Sequence, residues 1–330
     1  MDLFQIIDDI SKVDPEVYDR FDSRRAAFRN FLGFGKKVSA AALPLAVSTL
    51  FNKAYGQSAA LPQAVIDTLN LALQLEYLEY FYYDTALSSS GLNLTAEETR
   101  AFQIIRNDEQ LHINTLRSTL GSNAFRVLTR ADFDYTGSQN KTRGALFPAL
   151  GGTSTPTSGQ FTDKAVFLTV AQNFVDTGVR AYKGGAPNLN PPNASTAVKD
   201  ILEAALNIHS VEARHSSRIR SLRRGGVQST ALPKSWITPD ETPATPPLPN
   251  GGTQAPNAVG PYNAGNPLAN YPPESNVMQG VTPVNVQTVT TVASSTAGAE
   301  AFDEPLDAAT VKAIAKNFAA VPTGTTGLFN

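Results

Sequence analysis

The Glu-x-x-His step at Glu109 and His112 occurs a second time at Glu212 and His215. The chain contains only three histidines, so two of the three follow a glutamate at the same interval. Residues three apart lie on one face of an α-helix, and each pair therefore directs a carboxylate and an imidazole towards the same spot. Two such pairs that face each other across a helical bundle can hold metal ions. The repeat predicts that the helices of this chain meet around a metal site.

Four stretches of the chain have the apolar periodicity of long helices. We expect these helices from Leu61 to about Ser90, from the Thr95 cap to Leu120, from Phe161 or Thr162 to about Lys183, and from the Ser195 cap to Arg224. A long connection over residues 121–160 separates the first pair of helices from the second. Two helix pairs joined by one crossover form the plan of an all-α four-helix bundle.

Composition divides the chain into three segments. Residues 1–60 precede the helices, residues 61–225 contain the predicted bundle, and residues 226–330 form an extension rich in Pro, Asn and Thr. We expect residues 227–280 to lie extended over the bundle or over a neighbouring subunit, because this composition disfavours regular structure. Further on, the alternation of apolar and polar residues from Val281 to Val292 predicts a strand. The apolar face of Asp307 to Ala319 predicts a short final helix.

Residues 1–60 carry features of an export signal. The hydrophobic run from Val38 to Phe51 has the length of a signal-peptide core, and Ala54-Tyr55-Gly56 offers small residues for cleavage. Arg24-Arg25 loosely resembles a twin-arginine signal. Because a bilayer takes roughly 20 apolar residues to cross and Pro44 interrupts the run, we expect no transmembrane helix. We expect an exported protein, periplasmic or at the cell surface. A cytoplasmic protein with an amphipathic helix docked on the bundle is the alternative.

Composition also excludes several kinds of chemistry. The chain has no cysteine, which excludes disulfides, zinc-thiolate sites, iron–sulfur clusters and thiol catalysis. Its formal net charge is −2, so no global basic field favours nucleic acid as a partner. We expect instead a homo-oligomer, formed through the faces of the bundle and through the extension.

The first predicted helix supplies further carboxylates. Glu76 lies in the middle of an apolar stripe, where an unpaired charge is costly and normally finds a partner. Glu79 lies one turn further on and shares part of this face. We expect the tyrosines from Tyr77 to Tyr83 to belong mainly to the core. Tyr80 and Tyr83 are also candidates for hydrogen-bond donors or redox partners beside the site.

At these residues the chain resembles the ferritin-like superfamily, and more closely the bacterial and fungal ferritin-like domain proteins related to plant desiccation-related proteins. The resemblance rests on residues 75–83, 108–112, 176–182 and 211–215, and it covers roughly residues 60–225. It implies a four-helix bundle with a di-iron or di-manganese centre. The expected ligands are Glu76, Glu109, His112, Glu212 and His215, with Glu79 and Asp176 as further candidates.

The third helix departs from the family pattern. The resemblance implies a glutamate at the position of Val175. Asp176 keeps the next acidic position, but it lies about 100° around the helix, on a polar face with Gln172 and Arg180. Gln172 is a weaker oxygen donor that can reach inward. Because a missing carboxylate weakens one of two metal positions, a single ion or an empty site is an alternative, and we expect Val175→Glu to strengthen metal loading.

Two classes of function fit these features. The first is a protein that binds iron or manganese and reacts with oxygen or peroxide, as an oxidase or a catalase-like enzyme in oxidative or desiccation stress. The second is a structural bundle with a degenerate or empty site, whose extension builds an assembly. The two Glu-x-x-His pairs favour the first class and Val175 favours the second. The sequence identifies no catalytic residue, and His209 is expected to be a packed or surface histidine.

Overall fold

The computed structural model describes residues 61–151, 160–239, 260–289, 294–320 and 327–330. The predicted export signal and the last residues of the predicted strand, 290–292, lie outside the described residues. In the described ranges, no helix is both long enough and apolar enough to cross a membrane.

Four long helices dominate the structure. They are α1 (Gln63–Leu87), α2 (Ala96–Leu120), α3 (Lys164–Gly185) and α4 (Thr196–Arg223). Helix α1 packs along α2 and α3 along α4, with further contacts between α1 and α3 and between α2 and α4. The predicted all-α bundle is confirmed, and each helix lies within a few residues of its predicted position.

Side-chain caps explain where three of the helices begin. Thr95 accepts a hydrogen bond from the Glu98 amide at 3.2 Å, while the Glu98 carboxylate accepts one from the Thr95 amide at 2.7 Å. This reciprocal capping box satisfies two backbone donors that the first turn leaves without helical partners. Ser195 caps α4 through a single hydrogen bond, which its hydroxyl accepts from the Val198 amide at 3.3 Å. Asp163, which the sequence prediction placed inside α3, is the cap of that helix.

The tyrosines of α1 contribute to an aromatic core, as predicted. Tyr82 is fully buried, and its hydroxyl donates a hydrogen bond to the Phe167 carbonyl at 2.8 Å. Its ring centroid lies 5.0 Å from those of Tyr135, Phe161 and Phe174. Residues of the crossover, α1 and α3 therefore share one core, which fixes α3 against α1.

The described parts of the extension contain little regular structure. Its elements are β1 (Met278–Gln279), β2 (Val284–Asn285), α5 (Val286–Val289), α6 (Ser295–Glu300) and α7 (Ala308–Ala315). The strand predicted over Val281 to Val292 is wrong: Val281 is fully exposed in a turn, residues 286–289 are helical, and within residues 281–289 only β2 pairs, antiparallel to β1. An alternating pattern needs a neighbouring strand and a core to face, and here β1 offers two residues. The final helix is confirmed and is capped by Asp307.

Arg180 of α3 binds the extension to the bundle. Its guanidinium is fully buried and forms an ion pair with Glu274 at 2.7 Å. The guanidinium also donates hydrogen bonds to backbone carbonyls of the extension, namely those of Pro261, Asn263, Pro272, Glu304 and Pro305. Gly184 permits the close approach, because a Cβ there would collide with the Leu306 carbonyl. The described extension therefore covers the polar face of α3. The predicted boundary at residue 225 marks the end of the long helices, but residues beyond it also belong to the core.

We predict that Arg180→Met destabilises the fold by about 3–5 kcal/mol, because it leaves the buried Glu274 carboxylate without its cation and removes the donor to several buried carbonyls. Urea denaturation measures the loss, and limited proteolysis reports release of the extension. The matched control is Arg218→Ala, which removes a half-exposed ion pair with Glu97 and is expected to cost about 0.2–1 kcal/mol. Equal losses in the two variants would contradict a special role for Arg180.

Candidate metal centre

The structure brings six of the seven predicted site residues into one buried cluster. They are Glu76 and Glu79 from α1, Glu109 and His112 from α2, and Glu212 and His215 from α4, and all are at most 7 % exposed. The spacings of three residues within each helix give the pairs a common face. The cluster therefore lies between the helices, in the interior of the bundle.

His112 lies at the centre of one group of ligand atoms. Its Nδ1 atom is 3.0 Å from Oε2 of Glu76, 3.1 Å from Oε2 of Glu109 and 3.3 Å from Oε1 of Glu212. One ligand atom from each of these four residues lies within 4.8 Å of every other. This spacing suits ligands of a single metal ion.

His215 faces the other oxygens of the same two glutamates. Its Nδ1 atom is 3.1 Å from Oε1 of Glu109 and 3.7 Å from Oε2 of Glu212. Glu109 and Glu212 thus each present one carboxylate oxygen to His112 and the other to His215. A carboxylate placed in this way has the arrangement of a bridge between two adjacent cations.

Glu79 lies beside the His215 half of the cluster. A Cβ at Gly178 of α3 would lie 3.4 Å from Oε1 of Glu79 and 3.8 Å from Oε2 of Glu212, so these two oxygens line the same gap. The other Glu79 oxygen accepts a hydrogen bond from the Tyr83 hydroxyl at 2.8 Å. Because Gly178 has no side chain, the Glu79 carboxylate can occupy space that a larger residue on α3 would fill.

Unpaired polar atoms show that the cluster fits a metal ion. Oε1 of Glu109, both carboxylate oxygens of Glu212 and Nδ1 of His215 are buried close to one another or to His112, but none forms a hydrogen bond of good geometry with a described residue. Such atoms normally cost on the order of 1–3 kcal/mol each, and more when they are charged. A bound cation would satisfy all of them, and carboxylates with imidazoles suit iron and manganese.

The electrostatics of the cluster are strongly coupled. Burial raises the pKa of Glu76 to about 8, although His112 opposes this effect. Burial and the neighbouring carboxylate of Glu212 also raise the pKa of Glu79. The nearby carboxylates outweigh burial at both imidazoles, so the pKa of His112 rises and that of His215 rises to about 12. The cluster thus balances its negative charge with protons, which a metal cation would displace.

Asp108 supports His215 from outside the cluster. Oδ2 of Asp108 lies 3.0 Å from Nε2 of His215, the nitrogen that faces away from the glutamates. Metal-binding histidines usually place their second nitrogen against such an acceptor, which fixes the orientation of the ring. Sequence reasoning did not assign this role. The signal in the sequence was that an acidic residue, Asp108, directly precedes Glu109, a position from which its carboxylate reaches helix α4.

Two tyrosines contact the cluster, and only one of them was predicted to do so. Tyr83 binds Glu79, as expected. Tyr80 is half-buried and packs against the ring of Phe81. The second donor is Tyr182 of α3, whose hydroxyl binds Oε1 of Glu76. The sequence did contain a signal for this contact, because Tyr182 follows Val175 by seven residues just as Tyr83 follows Glu76.

Asp176 and Gln172 are not part of the cluster, which corrects both expectations. The Asp176 carboxylate is fully buried elsewhere, where it accepts hydrogen bonds from Ser216 and Arg220 at 2.5 Å and from Tyr262 at 2.7 Å. Gln172 donates a hydrogen bond to the Tyr262 hydroxyl at 2.9 Å. Because Tyr262 belongs to the extension, this polar face of α3 binds the extension and is unavailable to a metal.

The remaining histidine behaves as a packing residue. His209 is half-buried, and its Nδ1 atom lies 3.0 Å from the Val179 carbonyl. Val175 is fully buried on α3 and brings no carboxylate. The cluster therefore draws its described ligand groups from α1, α2 and α4.

A bundle that buries two facing Glu-x-x-His pairs with further glutamates has the residue arrangement of carboxylate–histidine bundles that can hold metal ions. A model of the family described as "Ferritin-like domain" matches residues 64–224, about half of the chain. The bundle thus belongs to the ferritin-like superfamily. A search of curated proteins and a search of solved structures find no match to the chain.

We predict that Asp108→Asn weakens metal binding by about 10- to 100-fold, because His215 loses the carboxylate that orients it. Competition with a chromophoric chelator measures the affinity. Glu97→Gln is the matched control, since Glu97 lies on the same helix in an exposed ion pair. An affinity for Asp108→Asn equal to that of the control would show that Asp108 does not support the site.

Proposed function

We propose that the bundle binds two iron or manganese ions and uses them in reactions with dioxygen or peroxide. The observation that carries this proposal is the arrangement of Glu109 and Glu212, which each offer one oxygen to His112 and the other to His215. Glu76 adds a terminal carboxylate on the His112 side. The two ligand sets share the two bridging glutamates and are otherwise separate.

Glu79 supplies the carboxylate that Val175 lacks. Its Oε1 atom faces the gap beside Gly178, next to the Glu212 oxygen that points to His215. Helix α1 therefore provides one terminal carboxylate to each side of the cluster. This arrangement supports a second metal position despite Val175, and it favours a working site over an empty one.

The metal ions, when bound, would supply electron exchange with oxygen species. The residues of the chain supply the environment of these ions. The helices bury the cluster and exclude bulk water from it, which strengthens its electrostatic interactions. Tyr182 holds one oxygen of Glu76, Tyr83 holds one oxygen of Glu79, and each hydroxyl carries a proton at the edge of the cluster. Such a site suits an oxidase or a catalase-like enzyme in stress protection. Export and homo-oligomerisation stay proposals from the sequence alone.

We predict about two iron or manganese ions per chain when the protein is purified without added metal or chelator. Glu109→Ala and Glu212→Ala each remove an oxygen from both positions, so both ions should be lost. Elemental analysis measures the stoichiometry, and Glu97→Gln is the control that should retain both ions. A folded, metal-free wild-type protein would instead support a structural bundle whose function lies in its surface and extension.

We predict that Glu79→Gln lowers the stoichiometry from about two ions to about one, because only the His215 side loses its terminal carboxylate. Val175, Gly178 and Tyr182 share one face of α3, so a glutamate at position 175 can reach the same gap. Adding Val175→Glu to Glu79→Gln should therefore restore the second ion. Two ions retained in Glu79→Gln alone would remove Glu79 from the site.

A further inference from the structure

A cavity of about 280 Å³ lies beside the Glu/His cluster of the candidate metal centre, between α1, α3 and the extension. Its floor consists of buried apolar groups from the bundle, including Leu69, Ala72 and Leu75 of α1 and Ala205 of α4. Leu306 and Val311 of the extension close the other side. The described extension thus forms one wall of this partly open cavity.

One side chain contacts both the cavity and the cluster. Tyr182 lines the cavity, and its hydroxyl binds Glu76 of the metal centre. Leu75, which also lines the cavity, directly precedes Glu76 in α1. A molecule in this space would therefore contact the residue that holds a terminal ligand of the cluster.

The mouth of the cavity differs from its floor. Ala64 and Asp67 of α1 are exposed there, and Lys312 of α7 is half-buried. Thr68 and Asn188 join across the mouth through a 3.2 Å hydrogen bond. The mouth thus carries one acidic and one basic side chain, so its net charge favours neither anions nor cations. On the apolar floor, a charged ligand would lose its hydration without a matching partner.

Size narrows the class of ligand further. An apolar protein cavity of roughly 150 Å³ binds benzene, so this one, nearly twice as large, has room for a bicyclic aromatic or a medium-length alkyl molecule. Binding pockets of this kind are mainly apolar with a few polar groups near the opening.

We propose that this cavity is a binding site for a small, uncharged, mainly apolar organic molecule, held against the Tyr182 wall of the metal cluster. If the bound molecule is a substrate, its reaction rests on the proposed metal function. Binding of the molecule to the cavity does not require the metal.

Isothermal titration calorimetry of the full chain with 1-naphthol tests the site, in metal-free and manganese-loaded protein. We expect saturable binding in both forms and much weaker binding of the charged 1-naphthalenesulfonate. Ala205→Phe fills the floor and should weaken 1-naphthol binding at least about tenfold. Leu206→Phe is the matched control on the same helix, where the side chain is exposed, and should bind as the wild type does. Ala64→Trp blocks the mouth without entering the core, so it replaces Ala205→Phe if that variant does not fold.

Electron paramagnetic resonance of the manganese-loaded protein tests whether the cavity adjoins the cluster. Addition of 1-naphthol should change the spectrum of the wild type and leave that of the blocked variant unchanged. Metal binding without any 1-naphthol binding, or equal binding by blocked and control variants, would overturn the cavity site. Saturable, blockable 1-naphthol binding to a protein that takes up no metal would support the site and overturn the proposed metal function.

Discussion

The burial of four carboxylates and two imidazoles between the helices is the constraint on which the rest of the structure depends. Buried carboxylates repel one another and lose their hydration, so such a cluster persists only with protons or cations to balance it. Burial raises the pKa of Glu76 to about 8, and the surrounding carboxylates raise that of His215 to about 12, so both groups tend to hold a proton. Oxygens of Glu212 nevertheless remain without a hydrogen-bond partner among the described residues. Metal ions would neutralise these carboxylates and satisfy their unpaired oxygens more fully than protons do.

A second set of buried charges joins the bundle to its extension. Arg180 pairs with Glu274, and Asp176 pairs with Arg220 beside Tyr262. These pairs occupy the face of α3 that turns away from the metal cluster. Helix α3 therefore has two buried faces, one that closes the Glu/His cluster through Gly178 and Tyr182 and one that binds the extension. The extension is part of the folded unit and also forms one wall of the cavity beside the cluster.

Local signals in the sequence were sufficient to predict the bundle and most of the candidate site. Apolar periodicity, the Thr95 and Ser195 caps and the Glu-x-x-His repeat all depend on neighbours within one or two helical turns. The failures involve partners that are distant in the chain. Asp176 was misassigned because its partner Tyr262 lies in the irregular extension, and Asp108 was missed because its partner His215 lies on another helix. The predicted strand near Val281 failed because alternation alone does not supply a neighbouring strand.

Anomalous X-ray diffraction from crystals of the natively loaded protein, recorded at the iron and manganese absorption edges, tests the central claim most directly. We predict two anomalous peaks inside the bundle, one beside Glu76 and His112 and the other beside Glu79 and His215, with Glu109 and Glu212 between them. A cluster without any anomalous peak, or a single peak with Glu79 turned away from it, would contradict the two-ion site.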